Sequence, residues 1–179
     1  MKEGYTNVKG IDSFEDKIEH AIAHELPCEH AEAFDYLESS SEPYDVIFCE
    51  QELNHLTKIE IIEFLELCWS KLKPEGLLIS HVLNGANPIT GAEALAQNFD
   101  HYNTFTEYTM RQVLEHTKFE NIKVVPLNLY VFWKNPLNYV LIFMSFLYTL
   151  FFRVSFIMYG KKNKLFTKKI AAVACKPSG

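Results

Sequence analysis

Short apolar runs alternate with segments of helical periodicity along most of this chain. Tyr44-Asp45-Val46-Ile47-Phe48-Cys49 carries the strongest strand signal, a compact apolar run that ends at Glu50. Residues 8–11, 77–82, 122–127 and 170–175 read as further strands, and 28–33 as a weaker one ending near Glu32. Asp12 falls at the tip of the first. Between the strands lie helical patterns. Ser13 is placed to cap one, with Asp16 three residues on and Ile18, Ile22 and Leu26 on one face, before Pro27 stops it. A short helical segment follows at 34–37. Thr57 and Glu60 have capping-box spacing ahead of Ile61, Ile62, Leu65 and Cys68, and Pro74 and Gly76 are expected to end that helix. Thr106 is placed to cap a helix carrying Met110, Val113 and Leu114. The alternation predicts an open α/β sheet, whose ligand sites lie at the carboxyl ends of the strands.

Two stretches break the rhythm. Residues 84–105, rich in Asn, Gly and Ala, form a long connection of the kind often used as a lid or binding loop. Residues 135–152 carry no charge; Arg153 interrupts, and the apolar run resumes to Tyr159, followed by Lys161, Lys162, Lys164, Lys168 and Lys169. Three readings stand open for 135–160. A transmembrane helix needs about 20 apolar residues, and the uncharged run falls just short and includes Asn138, Ser145 and Thr149. An interfacial helix fits the Phe- and Leu-rich composition, the lysines behind it, and Trp133, Tyr139 and Tyr159 near its ends. The third reading is a helical cap packed on the sheet or on a partner subunit.

With 179 residues the chain can bury a sizeable core in one domain. A net charge of −6 argues against nucleic acid as a partner. The polar start, Met1-Lys2-Glu3-Gly4-Tyr5, does not resemble a signal peptide. Cys28, Cys49, Cys68 and Cys175 are far apart and form no C-x-x-C pair, so they are expected to be reduced, mostly buried thiols of a cytoplasmic protein. No His/Cys metal spacing occurs, and no metal is expected.

Taken in order, these pieces resemble a class I S-adenosylmethionine-dependent methyltransferase of the broad UbiE/UbiG-like group (type 11/23), which includes enzymes found near glycan-assembly genes. Gly10-Ile11-Asp12-Ser13 looks like the end of that fold's second strand. The 44–49 strand with Glu52-Leu53-Asn54-His55-Leu56 resembles its fourth strand and the V-L-E-H-L element after it, with Asn54 in place of the usual acid. Leu72-Lys73-Pro74-Glu75-Gly76 is similar to the L-K-P-G-G turn into the fifth strand. Phe99-Asp100-His101 and Phe105-Thr106 resemble the D-F-T-H … F-T loop. Ala31-Glu32-Ala33 occupies the place of the adenine-side acid and its small neighbour.

The resemblance implies a Rossmann-like, mostly parallel sheet with an antiparallel last strand and a hydrophobic helical insertion at 135–160. It implies S-adenosyl-L-methionine as cofactor, with Asp12 on the ribose hydroxyls and Ser13, Glu32, Ala33 and Glu50 along the cofactor. The acceptor would be a small molecule or a lipid- or glycan-linked group, at the inner membrane face if 135–160 meets lipid. His55 and His101 are the candidates to take a proton from a hydroxyl acceptor, because an imidazole titrates near neutrality; each also has a plain structural reading.

The family's acidic G-x-G-x-G turn is not found, and residues 1–7 look like the end of the helix that follows it. The expectation is therefore a domain without its first strand and glycine loop, in which the strand order closes up or a second copy supplies a strand. That leaves a homodimer as a candidate assembly and a non-catalytic, membrane-associated or interaction protein as the alternative function.

Overall fold

The computed structural model describes residues 6–127 and 135–178. Residues 1–5 and Trp133, both used in the sequence reading, lie outside the described residues. The chain divides into two compact units, Met1–Pro43 and Tyr44–Gly179.

In the first unit, β1 (Gly10–Asp12) and β2 (Cys28–His30) are parallel, with Asp12 opposite His30. Helix α1 (Glu15–Ala23) joins them and α2 (Ala33–Ser39) follows. Ser13 does not cap α1, as its spacing predicted. The N-cap is Phe14, with no side-chain cap, and Asp12 Oδ1 instead accepts from the Phe14 N–H at 3.0 Å. Asp12 stands two residues before Phe14, the spacing at which an Asp side chain accepts from backbone in an Asx turn. Of the predicted apolar face only Ile18 is buried; Ile22 and Leu26 remain exposed. The helix closes with Glu25 at φ +57° and the Leu26 N–H on the Ala21 carbonyl, ahead of Pro27.

The second unit is built on a four-stranded sheet in the order β3-β4-β6-β5. Its strands are β3 (Tyr44–Glu50), β4 (Leu72–Leu83), β5 (Glu120–Leu127) and β6 (Lys169–Cys175). β3 and β4 are parallel, and β6 runs antiparallel to both β4 and β5. This is the Rossmann-like pattern with an antiparallel last strand that the sequence predicted.

Helix α4 (Lys58–Lys71) starts at the Thr57–Glu60 capping box and buries Ile61, Phe64, Leu65 and Cys68. α6 (Glu107–His116), capped by Thr106 with Thr109, buries Met110 and Leu114. Leu78 and Val82 of β4 and Ile170, Ala172 and Ala174 of β6 complete the core. β3 itself buries Cys49 but exposes Val46 and Phe48, since alternate side chains point to opposite faces. A run that reads as doubly buried in the sequence therefore has only one face in the core of its unit.

The L-K-P-E-G segment behaves differently from the expected helix stop. The helix ends at Lys71 and β4 begins at once, with Leu72 opposite Tyr44; the register then jumps to Val46 opposite Leu77. Residues 73–76 form the resulting bulge, pinned by hydrogen bonds from Glu75 N–H to the Lys176 carbonyl and from Lys176 N–H to the Gly76 carbonyl. A side chain at Gly76 would place a Cβ 2.8 Å from the Lys73 carbonyl oxygen.

The long 84–105 connection is not structureless. It contains α5 (Thr90–Gln97), and buried Asn84 and Asn87 fold it down. Asn84 donates to the Leu165 and Thr167 carbonyls, and Asn87 to the Phe166 carbonyl. Helix α7 (Leu137–Met158) fills the apolar stretch.

Candidate functional site

Two groups of side chains gather at the carboxyl ends of parallel strands, one in each unit. In the first, Asp12 ends β1. Its Oδ1 is engaged by Phe14, and among the described residues its Oδ2 faces the exposed Lys17, at 3.5 Å. One carboxylate oxygen thus retains acceptor capacity for a hydroxyl. Ser13 is exposed, and its carbonyl pairs with His30 Nε2 at 2.9 Å, which ties the β2 tip to the β1 tip. Glu32 is the N-cap residue of α2 by backbone, but its exposed side chain makes no cap bond; Ala33 opens that helix.

In the second unit, Glu50 ends β3 and is not solitary. His81 Nδ1 lies 2.6 Å from Glu50 Oε2, and Lys169 Nζ 2.8 Å from Oε1. Burial pushes the Glu50 carboxyl up, but the hydrogen bonds from Lys169 and His81 outweigh it and hold the pKa below its usual value. Sequence reasoning found Glu50 but neither partner. His81 is the register partner of Glu50 on β4, so strand pairing was the signal that would have found it.

Just past Glu50 the chain turns through Gln51, at φ +61°, into the single helical turn α3 (Glu52–His55). Leu53 and Asn54 are fully buried. Asn54 Oδ1 accepts from the Leu83 N–H at 3.2 Å, and Asn54 Nδ2 donates to the Asn103 carbonyl at 2.7 Å. The Asn54 carbonyl accepts from the Tyr102 and Asn103 N–H groups. One asparagine thus stitches the end of β4 and the 98–105 loop to the base of His55.

The consequence is a cluster. His55 Nδ1 lies 3.0 Å from Asp100 Oδ2, and the His55 and His101 rings meet edge to face with centroids 4.6 Å apart. His101 Nδ1 lies 2.6 Å from the Ala94 carbonyl and therefore carries its proton there. Its Nε2 lies 3.2 Å from the Asn98 amide nitrogen, which occupies the remaining lone pair. His55 pairs its Nδ1–H with a carboxylate, which leaves Nε2 as the lone-pair nitrogen. The structure thus brings together the two histidines named from sequence and adds Asp100 as the group that orients one of them. The ligand atoms of His55, Asp100 and His101 all lie within 4.8 Å of one another. Within the cluster one hydrogen bond joins His55 to Asp100, while His101 is held from outside it by Ala94 and Asn98.

The sequence matches the family model of a methyltransferase domain over residues 1–124. No curated protein matches it. Among solved structures, the chain is similar to an S-adenosylmethionine-dependent methyltransferase from Archaeoglobus fulgidus, at 18% identity and a TM-score of 0.69, covering 98% of this chain and 78% of that one. A possible histamine N-methyltransferase from Thermotoga maritima aligns at 13% identity and a TM-score of 0.61, over 94% and 72%. The N-methyltransferase NodS from Bradyrhizobium japonicum, solved with S-adenosyl-L-homocysteine, aligns at 12% identity and a TM-score of 0.56, over 94% and 66%. At these identities the likeness is one of fold, and the fold is the Rossmann-like methyltransferase fold.

Proposed function

The chain belongs to the methyltransferase-domain family, and we propose that it moves a methyl group from S-adenosyl-L-methionine to a hydroxyl of a small-molecule or lipid- or glycan-linked acceptor. Within that family, the Asp12 strand tip, the Asn54-His55 element and the Asp100-His101 loop favour the UbiE/UbiG-like group. The observation that carries the reading is the His55–Asp100 pair at 3.0 Å, positioned by buried Asn54 directly after a strand whose tip faces a ligand edge in this fold.

The donor set at β1 fits the ribose end of such a cofactor. Among the described residues Asp12 Oδ2 has no backbone partner, and a strand-tip carboxylate is the acceptor a vicinal diol requires. Glu32 and Ala33, at the β2 end, are the residues proposed for the adenine side. Glu50 is satisfied by His81 and Lys169, and its proposed part is to hold the adjoining ends of β3, β4 and β6 together.

When bound, the cofactor supplies an activated methyl on a sulfonium, so the protein's share is alignment and the removal of one proton. His55 Nε2 receives that proton. Asp100 keeps Nδ1 protonated and stabilises the imidazolium that results, much as an acid orients a catalytic histidine elsewhere. His101, with both ring nitrogens engaged, packs against His55 and restricts its rotation.

A second reading, a membrane-associated or interaction protein, is favoured by one observation: helix α7 turns a broad apolar face outward. On that reading the domain keeps the fold without turnover. Titration calorimetry of the chain with S-adenosyl-L-methionine separates the two. Micromolar binding, weakened roughly ten-fold in Asp12→Asn by loss of one charged hydrogen bond, supports the methyltransferase; no heat with either protein supports the second reading.

A further inference from the structure

Helix α7 is inverted relative to an ordinary surface helix. Among its 22 residues only Asn138, Ser145, Thr149, Phe152, Ser155 and Phe156 are not exposed. Five of these follow a 7-4-3-4 spacing and therefore form one narrow stripe along the helix. That stripe collects the small polar side chains, and at its C-terminal end Phe152 and Phe156 pack on Phe166. The remaining surface presents Leu, Ile, Val, Phe, Tyr and Met to the outside, with Phe143, Phe146 and Phe151 each more than half exposed. Mean hydropathy reaches 2.0 over an 18-residue window in which Phe152 alone is buried. An apolar face this large does not stay in water.

By length and composition the helix could cross a bilayer, since 22 residues extend about 33 Å against a core of about 30 Å. The sheet forbids it. Leu127 and Lys169, which bracket the excursion, are register partners on β5 and β6. The chain leaves and re-enters the sheet at one point, so both helix ends must lie on the same side of a membrane. Crossing would force a flanking segment back through the hydrocarbon, and residues 161–168 are irregular backbone that lipid cannot satisfy. That segment is also tied to the body: Tyr108 Oη donates to the Lys162 carbonyl, and the Lys164 N–H donates to Glu107.

We propose that α7 is a monotopic anchor that lies in the plane of an anionic bilayer surface, its broad apolar face in the lipid and its narrow stripe toward the protein. Charge selects the occupant. Lys161, Lys162, Lys164 and Lys168 are exposed directly behind the helix, in a chain of net charge −6. An anionic headgroup layer complements that cluster along the flank of the helix, beside an apolar face that the acyl region accepts. This goes beyond the methyl-transfer reading and does not depend on it.

Vesicle flotation of the full chain tests the proposal. Phosphatidylcholine vesicles containing phosphatidylglycerol should float it, and phosphatidylcholine alone should bind it more weakly. Phe143→Asp with Phe146→Asp should lower partitioning roughly a hundred-fold. Lys161→Gln with Lys162→Gln and Lys164→Gln should lower it roughly a hundred-fold on anionic vesicles, at about five-fold per lysine, with little change on neutral ones. All five side chains are exposed, and an unchanged far-ultraviolet circular dichroism spectrum confirms that each variant is folded. Leu137→Cys and Met158→Cys should both react with a membrane-impermeant maleimide from outside sealed vesicles. Protection of either one alone would mean a spanning helix and overturn the proposal. A chain that is dimeric by light scattering and ignores vesicles would overturn it too, and would assign α7 to a subunit interface.

Discussion

Replacing Asn54 is the sharpest perturbation of the site, because one side chain closes two buried backbone groups. Asn54 is fully buried, accepts from the Leu83 N–H and donates to the Asn103 carbonyl. Asn54→Leu keeps the branched shape, adds some bulk, and leaves both groups without their partner. An unsatisfied buried backbone group costs about 1–3 kcal/mol. Leu83 is buried, so its N–H bears the full penalty, while half-buried Asn103 recovers part of its own from water. The expected loss is about 2–4 kcal/mol, a large fraction of the roughly 5–15 kcal/mol typical of a domain. Asn54→Ala should lose more, because it adds a cavity. Urea unfolding followed by tryptophan fluorescence measures both, with the slope m required to stay constant. A loss under about 0.5 kcal/mol for Asn54→Leu would refute the assigned role, since such a loss is ordinary for a surface change. The same variant should release the 98–105 loop, so backbone amides there should exchange faster than in the parent protein.

Three further outcomes follow from the fold. Gly76→Ala should destabilise by about 1–3 kcal/mol in urea, because the added Cβ meets the Lys73 carbonyl oxygen at 2.8 Å and Asp45 at 3.2 Å. Glu50 has a folded pKa below its usual 4.5, so its contribution is present above that value and is lost as pH falls through the folded pKa. Stability measured from pH 6 downward should therefore fall less steeply through that window in Glu50→Gln than in the parent. Burial pushes the Cys49 thiol up to about 12 and raises Cys68 well above its usual value, whereas Cys28 and Cys175 are only half-buried. Iodoacetamide at pH 8 should modify Cys28 and Cys175 in the native protein and reach Cys49 and Cys68 only after unfolding, as read by peptide mass.

The sequence alone determined the features whose causes are local. The Thr57–Glu60 and Thr106 caps, the strand at Tyr44–Glu50 and the apolarity of α7 were legible because spacing and composition over a few residues are enough to specify them, whereas the antiparallel direction of the last strand was implied only by the family resemblance. Where a local rule had a competitor, the tertiary structure chose. Asp12, not Ser13, engages the backbone at the start of α1, and strand pairing with Tyr44 began β4 at Leu72 rather than after Gly76. The site itself depended on distance along the chain. Asn54 meets Asn103 across 49 residues, and only that closure sets Asp100 and His101 beside His55 and shows which imidazole nitrogen keeps its lone pair. The same holds for α7. Its composition alone leaves crossing a bilayer, lying flat on one, and packing on the sheet or a partner subunit all open. The pairing of Leu127 with Lys169 weighs against crossing, because two neighbours in one sheet cannot stand on opposite sides of a bilayer.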